Sequence, residues 1–221
     1  LLGELRPGMR TVFTLGTAGD INHIDVRWGA QTHGHVEAAR IGTVLAGAVT
    51  KTFPQLAAVG AAPLQCRSAL VALPLPEIAP DALEKARATI ARQGQAGDKP
   101  AFLEIVDAYK TIDVVERAGK PLEAEVQVVT LGDELAWVAL PGEVFVELGL
   151  AIKRASPFAH TIVVELANGS IGYVPTRHAW PQGNYEVVSA RCGPGSGEML
   201  CEAASRLLRE AHAAAARAAA K

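Results

Sequence analysis

An apolar run from Leu135 to Leu140, LAWVAL, carries large side chains at nearly every position and predicts a strand buried on both faces. Pro141 and Gly142 end it. From Val144 to Arg154 apolar residues again crowd the chain, and Lys153 and Arg154 close the stretch, the pattern of a buried helix with a complemented dipole. Strand, tight turn and helix in succession put Glu143 at the mouth of a site, because ligands of α/β sheets sit outside the carboxyl ends of strands. A carboxylate in a first helical turn also simply suits the helix dipole.

The remaining pattern fills in around this unit. Thr11 to Leu15 reads as a short buried strand, followed by the glycine-rich turn GTAGD. A helix rich in small residues is predicted from His35 to Thr50, stopped at Phe53-Pro54. Residues 67 to 73 form a strand, and LPLPEIAP after it marks an irregular connection. Two helices with mixed surface charge follow, Asp81 to Arg92 and Pro100 to Glu116, separated by QGQAGDK. Glu123 to Leu131 alternates as a half-buried strand, and Gly132-Asp133 turns it into the Leu135 strand as a hairpin. Thr161 to Leu166 is a further strand, after which Asn168-Gly169 makes either a hairpin turn or the exit to a loop carrying Tyr173. GPGSGE then leads into a helix from about Ser196 to the terminus, whose Ala-rich end, AHAAAARAAAK, is expected to fray. These elements predict an α/β fold, a mixed central sheet with helices packed on its faces, in one domain spanning residues 1–221.

Composition narrows the function. With 49% hydrophobic residues, 20% charged and a net charge of -2, spread without basic clusters, nothing suggests a nucleic-acid surface. No apolar stretch approaches the ~20 residues of a transmembrane segment, and no signal peptide is visible. The sequence starts at Leu1 without methionine, so a targeting segment could precede it. Cys66, Cys192 and Cys201 have no metal-ligand spacing and read as buried free thiols. The GTAGD turn can offer backbone N–H groups to an anion but lacks a dinucleotide or P-loop fingerprint. His23, His33 and His35 cluster beyond it; they suit a metal pair or loop positions near a helix start, and no Asp or Cys completes a ligand spacing. His23 is retained as a site-lining residue.

Taken together, LPGEVFVELG at 140–149, NGSIGYVPT at 168–176, Tyr185, GPGSGEM at 193–199 and TAGDINHID at 17–25 resemble the catalytic domain of the neutral, non-lysosomal ceramidases. The resemblance covers nearly the whole chain and implies that it is the C-terminal part of such a domain. It implies that Glu143 and Tyr173 are ligands of a catalytic zinc, that Tyr185 holds a substrate oxygen, and that Gly19, Asp20 and His23 line the site. Asn22 falls where the family carries its serine nucleophile; an amide cannot attack, though it can donate a hydrogen bond to a developing oxyanion. The family's two zinc-binding histidines lie in motifs well before the TAGD turn and have no counterpart here. The implied activity is zinc-dependent hydrolysis of the N-acyl bond of a ceramide-like lipid, in a secreted or periplasmic protein; a non-catalytic binding relative and a hydrolase of another amide or ester stay open. Its partner would be a small lipid-like amide. If the resemblance holds, the Glu143 carboxylate and Tyr173 hydroxyl lie within roughly 5 Å of each other, as ligands of one metal must. Asn22 and an anchoring Asp20 would border the same pocket.

Overall fold

The computed structural model describes residues 2–24, 33–60, 62–93, 95, 97 and 99–219. They form two compact units, Leu1–Thr14 with Asn22–Ala61, and Leu15–Ile21 with Ala62–Lys221. In the first unit a short helix α1 (Leu2–Leu5) is followed by α2 (His35–Lys51). Thr52 and a 3-10 turn over Phe53–Gln55 end α2, because Pro54 cannot donate to another helical turn. Only Ala46 of α2 is buried, and Val36, Val44 and Leu45 are exposed. The expected strand at Thr11–Leu15 is not formed: the segment is irregular, and Val12 and Phe13 are exposed. Its apolar content had suggested burial, but among the described residues only Leu15 finds a strand-like partner, its carbonyl accepting from the Glu165 N–H at 3.0 Å.

The second unit is built on a four-stranded mixed sheet, in the order β1-β2-β3-β5. β1 (Leu64–Leu73) runs antiparallel to β2 (Leu122–Leu131), which turns through Gly132 (φ 61°) into the antiparallel β3 (Leu135–Ala139). β5 (His160–Val164) lies parallel to β3. Register decides the core. Ala69, Val126 and their neighbours on one face meet α7 (Ser196–Ala219), while α5 (Val146–Ala155) packs against β5 and α7. Leu73, Val126, Val128, Val138, Leu140, Ile152 and Leu208 are fully buried there. Each such side chain contributes about 1.5–3 kcal/mol of transfer free energy against the entropy of ordering it.

The other face is different. The Leu135–Leu140 run, expected to be buried on both sides, is buried only at alternate positions, and Leu64 and Leu70 of β1 are each 71% exposed. Cys66 lies on the same exposed rows, which corrects the expectation of three buried thiols: Cys192 is buried, Cys201 half-buried and Cys66 exposed, all free. Burial, with Glu198 and Glu202 nearby, pushes the Cys201 thiol up to about 12.

Outside the sheet, α3 (Ala82–Gln93) and α4 (Phe102–Glu116) pack on each other, and α6 (Asn184–Ser189) packs on α4. The QGQAGDK loop between α3 and α4 lies partly outside the described residues. α7 runs through the Ala-rich end to Ala219, and Lys221 lies outside the described residues. Two residues of β4 (Glu143–Val144) pair in parallel with two of β6 (Tyr173–Val174). Asn168 (φ 64°) and Gly169 (φ 138°) therefore begin a loop that delivers Tyr173, not a hairpin.

Candidate active site

Glu143 belongs to β4 and not to the first turn of α5, where Glu147 sits. The helix-dipole account of Glu143 thereby loses its basis, since the effect falls off outside the terminal turn. Pairing sets its neighbour: Glu143 is directly opposite Tyr173, and the Glu143 N–H donates to the Gly172 carbonyl at 3.0 Å. The pairing sets the Tyr173 side chain beside that of Glu143, near enough for the carboxylate charge to act on the hydroxyl. Burial, then the neighbouring Glu143 carboxylate, hold the Tyr173 hydroxyl well above the usual phenol range. Tyr185, on α6, places its ring edge-on to Tyr173, with centroids 5.5 Å apart and planes at 73°. The sequence-predicted trio Glu143, Tyr173 and Tyr185 thus stands together.

The glycine-rich turn is sewn to the same strand. The Gly19 N–H donates to the Val144 carbonyl at 2.9 Å, and a Cβ at Gly19 would collide with the Glu143 carbonyl, so only glycine permits this approach. Asp20 anchors the turn as expected, its Oδ1 accepting from the Val146 N–H at 2.7 Å, one of the donors that the start of α5 leaves open. Asn22 and His23 belong to the first unit. There the Asn22 Oδ1 accepts a long 3.4 Å bond from the Ile24 N–H. His23 and His33 line an open cleft of about 530 Å³ with Glu37. Arg40 already binds that carboxylate through two bonds of 2.8 and 2.6 Å and, as the main cause, holds it below its ordinary range.

One residue that the sequence did not single out is Glu165. Although it follows the apolar TIVV, it is buried, and its Oε2 accepts from the Ala18 N–H at 3.1 Å and the Val144 N–H at 2.8 Å. It clamps the turn to the strand that carries Glu143. Burial pushes its carboxyl up, opposed by the two N–H bonds, and the Glu143 and Asp20 charges push the same way as burial. The one available signal was a charge at the inward-facing parity of a strand.

The comparisons bear on this geometry. The chain superposes on the crystal structure of neutral ceramidase from Pseudomonas aeruginosa with a TM-score of 0.59 and 20% identity, over 93% of this chain. The fold is shared with neutral ceramidase. The chain spans 38% of that ceramidase chain. A second solved structure, a ceramidase complexed with C2, matches at 21% identity over 67% of this chain and 30% of its own, with a TM-score of 0.43, too low to assign a fold. No family model matches the chain, and no curated protein matches it significantly.

The ceramidase-like fold raises the question of zinc. The Glu143 carboxylate and Tyr173 hydroxyl are oxygen donors side by side, whereas a catalytic zinc takes three protein ligands. Among the described residues no group of three or more His, Cys, Asp or Glu side chains is arranged to hold a metal ion. The pair fits as part of a donor set and cannot hold zinc alone. Among the described residues, too, no helix is long and apolar enough to cross a membrane.

Proposed function

We propose that this chain is the C-terminal part of a zinc-dependent amide hydrolase resembling neutral ceramidase, acting on the N-acyl bond of a ceramide-like lipid. The observation that carries the reading is the pairing of Glu143 with Tyr173, with Tyr185 edge-on to Tyr173, in a ceramidase-like fold. Zinc, when bound, would polarise the acyl carbonyl and activate a water. This chain's own residues orient the parts. Glu143 and Tyr173 supply two donors, and Glu165 and Asp20 fix the strand and helix start that follow Glu143, at the Val144 and Val146 N–H groups. Tyr185, partly exposed beside them, offers its hydroxyl to a substrate oxygen.

A second reading, a binding protein or a hydrolase of another amide or ester, is favoured by Asn22 at the serine position, where no nucleophile is available. Zinc content, hydrolysis of an acyl amide and melting temperature, measured on the full native protein beside Glu143→Gln, decide between them. Gln keeps the shape of the side chain but loses the anion, so zinc and turnover should both disappear, while the melting temperature of a metal-free preparation hardly moves. Retained zinc and retained turnover in the variant would remove Glu143 from the metal site.

A further inference from the structure

Three rings form a ladder that begins at the Glu143 carboxylate. Tyr173 is the register partner of Glu143, Tyr185 lies edge-on to Tyr173 at 5.5 Å, and Phe102 stacks on Tyr185 at 5.7 Å with planes at 25°. Exposure rises along the ladder: Tyr173 is half-buried, Tyr185 is 37% exposed and Phe102 66%. Phe102 is the first residue of α4, and the buried residues of that helix, Ala108, Thr111 and Val114, all lie further along it. The ring therefore lies outside the buried face of α4 and touches the fold at Tyr185 of α6. Among the described residues it stacks on Tyr185, and the neighbouring Leu103 is exposed as well. A phenylalanine left largely in water at the helix start forgoes burial that an apolar ligand group would supply.

We propose that Phe102 and the ring of Tyr185 form a shelf for the alkyl chain of the substrate, and that Phe102 sets chain-length preference. The proposal rests on the reading of Glu143, Tyr173 and Tyr185 as the reaction site. An N-acyl amide whose amide lies at Glu143 and Tyr173 would extend its chain across two ring steps toward α4. Contact on one side removes only part of each methylene from water, so affinity should rise about twofold per methylene while the chain stays on the shelf. Beyond Phe102 the gain should stop. Phe102→Ser suits the first turn of a helix and removes the outer half of the shelf without touching the proposed ligands.

The test is calorimetric binding of N-acyl amines from acetyl to decanoyl, each below its micelle concentration, to the full native protein, to Phe102→Ser and to Leu70→Ser. Leu70 is an equally exposed apolar residue of β1 outside the ladder. Wild type and Leu70→Ser should bind longer chains progressively tighter. Phe102→Ser should bind the acetyl member unchanged and lose at least half of the gain per methylene. Equal chain-length dependence in all three proteins would overturn the proposal, as would the same loss in Leu70→Ser or no binding of any member by wild type. Hydrolysis of the same series is scored separately: a protein that shows the shelf dependence but cleaves no member retains the shelf and loses the proposed function.

Discussion

The two faces of the four-stranded sheet both carry apolar rows, and these rows meet opposite fates. On the inner face the cross-strand row Val128, Val138 and Val163 is buried under α5 and α7. On the outer face the neighbouring row Cys66, Val129, Trp137 and Ile162 is apolar throughout, yet Cys66 and Ile162 are exposed and none of the four is fully buried. Alternation reveals the pleat, but a helix that lands on one side decides which rows leave water. The inner face also carries charge, at Arg67 opposite Val128 and at Glu165. Continuing the inward parity of Thr161 and Val163, Glu165 puts a carboxylate where an apolar residue is expected, and that position borders Glu143.

The inner face should respond most strongly to truncation. Leu208 of α7 is fully buried in the core cluster, and Leu208→Ala should cost about 2–5 kcal/mol through lost transfer and the cavity left behind. Urea unfolding followed by circular dichroism measures this. A loss below about 1 kcal/mol would mean that α7 does not cover the sheet as described.

Glu165 should come next. Glu165→Ala leaves the Ala18 and Val144 N–H groups without their acceptor, a cost of roughly 1–3 kcal/mol, and frees the glycine-rich turn. Glu165→Gln keeps an acceptor and removes the titration. Because burial raises the folded-state pKa, the folded protein binds this proton more tightly than the unfolded chain does. The resulting stabilisation is complete below the unfolded carboxylate pKa and is lost as pH rises through the folded one. Unfolding free energy should therefore decline through that window in the wild type, and the decline should be smaller in Glu165→Gln. Identical pH profiles for the two would show that Glu165 is solvated.

The same contrast explains what could be read from sequence. The strands at residues 67–73, 123–131 and 161–166 and the three long helices after residue 80 were legible because their apolar periodicity reports local geometry. Thr11–Leu15 was misread because an apolar pentapeptide shows no sign of whether a partner strand lies in register. Glu143, Tyr173 and Tyr185 were found through motif wording, although nothing local said that two residues thirty positions apart would be register partners. Glu165 was hidden inside an apolar strand, where its role depends on a turn 147 residues away.

The smallest effect should come from the outer face. Leu70 stands 71% exposed on β1 opposite Glu125, so Leu70→Thr removes little buried surface and introduces a β-branched residue that suits a strand. The change should stay within about 0.5 kcal/mol, as surface substitutions usually do. Unfolding at two protein concentrations makes the test sharper, since a face covered by another molecule would make the cost depend on concentration. A loss of more than about 1 kcal/mol that grows with concentration would mean that both faces of the sheet are buried in solution, and the distinction between them would then belong to the isolated chain alone.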